Sequence, residues 1–240
     1  GHALGISHNF AASTYEDRAS VMDYPAPWVI ADGERLDFSR AYTTGVGAWD
    51  DFVIDWLYGA AKPGQDEAAR RAALITNAQT RGYRFVSDSD TRPLGSAQPY
   101  AAMWDNGTDP VAEFANVMAV RKIALDRFGL DNIPDGAAAA DLQRVIVPIY
   151  LYHRYQTTAV ARLIAGVDYR YAVKGDGNET AEVVPAERQR AALDALMKAL
   201  SPEVLDLRDP LIDLLSSGQS GNSDRQTEIE LFKGKTDAVF

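Results

Sequence analysis

His2, Gly5 and His8 in the opening stretch "GHALGISHNF" have the types and spacing of metal-site residues. Zinc in catalytic sites takes three protein ligands and keeps a fourth position open for water. A helix can present one imidazole from its last turn, but a second imidazole six residues on reaches the same ion only if the chain leaves the helix axis and turns back. A glycine three residues after His2 permits that turn, because glycine takes positive φ without steric cost. The chain contains no cysteine, which excludes disulfides and thiolate sites. A metal here would be held by histidine and carboxylate ligands.

The run from His2 to His8 matches the right-hand part of H-E-x-x-H-x-x-G-x-x-H. In that motif two histidines share a helix face, a glutamate beside the first acts as general base, and a third histidine follows the glycine turn. His2 takes the place of the second histidine, Gly5 of the turn glycine and His8 of the third. The first histidine and the glutamate correspond to positions ahead of Gly1. Downstream, "SVMDY" (20–24) resembles the metzincin Met-turn, in which a methionine lies beneath the metal-binding histidines. Met22 matches that methionine. Tyr24 matches the tyrosine that lies near zinc in the astacin and serralysin branches and helps stabilise the oxyanion. "LDFSRAYTTGVGAWDDFVIDWLYG" (36–59) is similar to the last helix of a metzincin catalytic domain.

A wider resemblance takes in "GHALGISHNFAAS", "SVMDYPAP", "YLYHRYQTTAVARLIAGVDYRYAV" and "ELFKGKTDAVF". These look like a family of large bacterial zinc-dependent metallopeptidases of the Met-zincin kind, in many members exported to the periplasm or outside the cell. The resemblance implies zinc as cofactor, His2 and His8 as ligands, a peptide or protein substrate, and hydrolysis by metal-activated water. It also implies a two-part organisation: residues 1–62 as the C-terminal portion of a metzincin catalytic domain, and 63–240 as a mostly helical accessory region. Because the motif's glutamate is not in the chain, the expectation is a fragment cut inside the motif, inactive and weak in zinc. The alternative is a non-catalytic helical module that binds peptides or serves as a scaffold, with a remnant metal motif.

The elements that must position these residues are mostly helical. "GHALG" reads as a helix end stopped by Gly5, followed by an irregular connector. Trp49, Val53 and Trp56 recur at helical spacing up to Gly59. Further helices are expected over 66–81, 110–128, 138–165 and 185–200, with Pro148 kinking the third of these. "YRFVS" (83–87) reads as a short strand, 88–108 as a long loop, and "VDYRYAV" with "AEVVP" as a strand pair across the turn "KGDGNE". The fold class is therefore mainly α with minor short β-strands. His153, on the apolar stripe of the 138–165 helix, is a weak candidate for a third ligand and reads more simply as a core histidine. Asp88 and Asp90 in "SDSD" read as a solvated turn, Asp50, Asp51 and Asp55 as the wet side of their helix, and "SSGQSGNSDRQ" and "RQTEIELFKGK" as sequence without specific chemistry.

The formal net charge is −10, which argues against duplex nucleic acid, since such binding draws most of its affinity from Lys and Arg against phosphates. No stretch approaches the roughly 18 apolar residues of a membrane span.

Overall fold

The computed structural model describes residues 1–177 and 179–218; the polar stretch from 219 on and the "ELFKGKTDAVF" motif lie outside them. A 3₁₀ turn at His2–Leu4 is followed by another at Ala12–Thr14. Strands β1 (Ile30–Asp32) and β2 (Arg35–Asp37) form an antiparallel hairpin closed by Asp32↔Arg35, with Gly33 at φ 58 in its turn. This hairpin is absent from the sequence reading, although Asp-Gly between short apolar segments is a hairpin signal. Helix α1 (Ala48–Tyr58) stops at Gly59, as the spacing predicts.

Helix α2 (Glu67–Thr80) starts where the Asp66 side chain accepts from Ala69 N at 2.7 Å. Asp66→Ala is expected to cost about 1 kcal/mol by leaving that first-turn amide to water. A slightly lower denaturant midpoint at unchanged slope is the check.

The stretch 83–87 forms no strand ladder, and the expected loop after it opens with a one-turn helix, α3 (Asp88–Thr91). Helix α4 (Pro110–Asp126) is capped by Asp109 and carries Pro110 in its first turn, where the missing N–H costs nothing. The single helix expected over 138–165 is two: α5 (Leu142–Tyr150) and α6 (Arg154–Ala161). Pro148 removes a donor and crowds the preceding turn, and α5 ends two residues later. Strands β3 (Val167–Tyr169) and β4 (Ala181–Val183) pair antiparallel, as the alternation predicts. Helices α7 (Ala186–Ala199), α8 (Pro202–Leu205) and α9 (Asp209–Leu215) complete the described chain.

The architecture is thus mainly helical with two small antiparallel hairpins. Three apolar clusters hold it. The first gathers Phe10, Ala11, Tyr15, Trp49, Val86 and Ala101, so it draws on residues from both sides of the Lys62–Gly64 turn. The second packs Phe114 of α4, Val160 of α6 and Ala192 of α7 together. The third joins Phe128, Leu142, Ile146, Leu211 and Leu215. The first cluster meets the N-terminal histidines through Phe10, whose ring centroid lies 5.1 Å from that of His8.

Candidate metal centre

Gly5 does what its position requires. At φ 75 it ends the first 3₁₀ turn, and its N–H donates to His2 O at 2.9 Å. The chain then folds back far enough for Ile6 O to accept from His2 Nδ1 at 2.9 Å. Two residues on, His8 Nδ1 donates to Asp88 Oδ2 at 2.8 Å. A carbonyl and a carboxylate can only accept, which fixes the proton on Nδ1 of both rings when they are neutral. Both Nε2 atoms are therefore left as acceptors. They face each other at 3.1 Å, and Tyr24 OH donates to His8 Nε2 at 2.5 Å.

The segment 20–24, read in sequence as a Met-turn, adjoins this pair through Tyr24, whose ring centroid lies 4.7 Å from that of His8. Met22 is buried, and its sulfur packs against Gly1, where a Cβ would fall 2.0 Å from it. Met22 O accepts from Asn9 N at 3.0 Å. The turn is held from below by Asp50 of α1, which accepts from Ser20 Oγ at 2.7 Å, Val21 N at 2.9 Å and Gly47 N at 2.8 Å. Asp50 is 6% exposed, which corrects the expectation that it lies on the wet side of its helix. Asp55, by contrast, is exposed and pairs with Arg70.

Asp88 is a second correction, because it is not a solvated turn residue. Burial alone would raise its carboxyl, but hydrogen bonds from Arg92 and His8 outweigh that and hold it below the usual carboxylate range. Asp90 accepts from the Tyr169 and Tyr171 hydroxyls and is likewise held down, mainly by Tyr171.

A buried acid pair lies behind Tyr24. Asp23 accepts from Tyr24 N and Ser13 N, each at 2.7 Å, and Ser13 Oγ donates to Asp105 Oδ1 at 3.1 Å. Burial pushes the Asp23 carboxyl up to about 6, despite its backbone hydrogen bonds. Burial and the neighbouring Asp23 charge push Asp105 well above the usual range. Both folded-state values are raised, so the folded protein holds these protons more tightly than the unfolded chain. The resulting stability is fully present below the ordinary 3.8 and, for Asp23, is lost as pH rises through about 6. Melting temperature measured from about pH 4 to about pH 7 is expected to fall through this window. Asp23→Asn should melt lower throughout but with a flatter slope; parallel slopes would refute the assignment.

The donor set fits zinc. Two nitrogens of a tetrahedral zinc with bonds of about 2.0–2.1 Å lie about 3.3 Å apart, close to the 3.1 Å between His2 Nε2 and His8 Nε2. Each ring is also oriented through its other nitrogen, as metal-binding imidazoles usually are. Among the described residues no group of three or more His, Cys, Asp or Glu is placed to hold a metal.

His153 is not brought to this site. It lies at the start of α6, half-buried, with its pKa lowered by burial and by Arg121. Among the described residues no hydrogen bond or ring contact joins it to His2 or His8. The residues missed in sequence are Asp88 and Asp23. Asp88 meets His8 across 80 positions, and nothing local marks either residue. Asp50 did carry a signal, since an acid at the third position of a helix can accept from the cap amide.

Residues 1–236 match the model of a family described as Met-zincin. No curated protein and no solved structure matches the chain.

Proposed function

Because the chain belongs to the Met-zincin family, which points to a metallopeptidase-type protein with zinc, we propose that it forms part of a zinc-dependent peptide-bond hydrolase with His2 and His8 as two of the metal ligands. The observation that supports this most is the pair of Nε2 atoms 3.1 Å apart. The Tyr24 hydroxyl proton lies against His8 Nε2; a zinc held by the two Nε2 atoms would displace it, lower the pKa of its own water to near neutral and polarise a substrate carbonyl.

The residues of this chain do the positioning. Ile6 O and Asp88 fix the two imidazoles by their Nδ1 protons, and Met22 O holds the backbone of Asn9, the residue after His8. The Tyr24 hydroxyl, half-exposed beside His8, is placed to donate to an oxyanion developing on the substrate. Asp23 and Ser13 hold the backbone of Tyr24 in register. The motif's general base and first histidine have no match among the described residues, and those roles are assigned to none of them.

The test is zinc content and casein hydrolysis by the natural gene product, beside its Asp88→Asn variant. The substituted amide oxygen can still accept from His8 Nδ1 but without charge. Zinc affinity is expected to fall about 10–100-fold, the usual cost of losing an outer carboxylate on a ligating imidazole. A natural protein that hydrolyses no peptide and takes up no zinc would overturn the proposal.

A further inference from the structure

Asp88 holds His8, and α3 (Asp88–Thr91) carries Asp88, yet nothing within α3 explains why it stays in place. A single helical turn is unstable by itself, because it fixes several dihedrals for very few backbone bonds. Its four side chains are Asp88, Ser89, Asp90 and Thr91, so it has no apolar face to bury, and only Thr91 is buried among them. Polar contacts from outside must hold the turn.

Those contacts come from far along the chain. The Tyr169 hydroxyl donates to Asp90 Oδ1 at 2.9 Å, and the Tyr171 hydroxyl donates to Asp90 Oδ2 at 2.5 Å. The two tyrosines stand two positions apart in extended chain, at the end of β3 and just beyond it, so they share a face. Together they occupy both oxygens of one carboxylate. Burial and the Asp90 hydrogen bond push Tyr171 up to about 12, which keeps the proton on its hydroxyl. That hydroxyl also accepts from Ser87 N at 3.4 Å. It thereby touches the residue before Asp88 and the second residue after it. At the end of the turn, Ser96 Oγ donates to Asp90 O and Arg162 Nη2 to Thr91 O. β3 is fixed in turn to the stretch that follows α3: Val167 N donates to Ala97 O at 2.8 Å, and Gln98 Nε2 to Tyr169 O at 3.0 Å. On Asp88 itself, Arg92 Nε donates to Oδ1 at 2.5 Å, which leaves Oδ2 for His8.

We propose that Tyr169 and Tyr171 are positioning residues of the metal centre: through Asp90 they lock the α3 turn, and the locked turn presents the Asp88 carboxylate to His8 Nδ1. An imidazole oriented in advance loses less freedom when its other nitrogen binds a metal, so the latch raises affinity without touching the ion. The β3 hairpin, about 160 positions from His8, thus becomes part of the centre. That His8 ligates zinc rests on the peptidase reading; that the tyrosines hold Asp88 against His8 does not.

The test compares the natural gene product with its Tyr169→Phe/Tyr171→Phe variant, which keeps both rings and removes both hydroxyls. In the metal-free proteins, nitrogen-15 NMR reads the His8 Nδ1 proton. A resolved signal is expected in the wild type, and its loss in the variant through faster exchange with water. A wild type without that signal, or a variant that keeps it unchanged, overturns the proposal whether or not zinc is taken up. With zinc, competition against a chelating dye should show affinity about tenfold weaker in the variant. In an Asp88→Asn background the same two substitutions should change it by less than about twofold, because the latch acts only through Asp88. Equal losses in both backgrounds would make the tyrosines ordinary supports of the fold and overturn the proposal. Asp90→Asn, which turns an amine toward one hydroxyl, supplies the same readouts should the double variant melt early. A natural protein that takes up no zinc and hydrolyses no casein, while the NMR difference holds, overturns the peptidase reading and leaves the latch standing.

Discussion

His8→Ala in the natural gene product is expected to abolish both stoichiometric zinc and casein hydrolysis while leaving the protein folded. His8 is the member of the pair that everything else converges on. Its Nε2 faces His2 Nε2 and accepts from Tyr24 OH, and its Nδ1 is held by Asp88. Removing only an outer carboxylate partner costs metal affinity about 10–100-fold, so removing the ligand itself should cost more than that. The imidazole makes ring contacts with Phe10 and Tyr24, but Phe10 is packed into the first core cluster independently of it. Stability should therefore drop far less than metal affinity. Zinc measured after dialysis, with melting temperature as the control, checks both halves. Full zinc and full activity in His8→Ala would remove His8 from the site.

Asp50→Ala is expected to lower stability by about 3 kcal/mol or more and to loosen the Met-turn with it. The buried carboxylate accepts three hydrogen bonds, from Ser20 Oγ, Val21 N and Gly47 N. It sits in the first turn of α1, where the helix dipole favours negative charge. Alanine leaves buried donors without acceptors, and each such group costs about 1–3 kcal/mol. For a chain of this size that corresponds to a drop of very roughly 6–12 °C in melting temperature. Asparagine in its place keeps one acceptor oxygen but turns an amine toward a donor, so it should recover only part of the loss. Because Val21 precedes Met22, zinc affinity should fall as well. A variant as stable as the wild type would show that the Met-turn is held by something other than this carboxylate.

The local parts of the centre were legible because each depends on a short stretch of chain. Gly5 had to be glycine for the turn between the histidines, and it adopts φ 75. Trp49, Val53 and Trp56 share a helix face that ends at Gly59, and α1 has those bounds. The β3–β4 hairpin followed from alternation on either side of a glycine-rich turn. The misread carboxylates share one cause. A carboxylate's role depends on which donors surround it, and those donors come from distant parts of the chain. Asp50 and Asp51 are neighbours on one helix, yet one is buried beneath the Met-turn and the other is exposed. The helix expected over 138–165 is instead interrupted after Tyr150, two residues past Pro148, and a new helix starts at Arg154.

The sequence alone, then, determined the spacing of His2, Gly5 and His8, the Met-turn beside them and the mainly helical class, since turns, periodicity and ligand type are properties of neighbouring residues. The tertiary structure decided which nitrogen of each imidazole is left as an acceptor, because that depends on Ile6 O and on Asp88, an acceptor 80 residues away from His8. It also decided that His153 stands apart and that Asp23 and Asp105 share a buried site. Hydrogen bonds and burial are set by whatever the fold brings into contact, and chain order carries no record of those contacts.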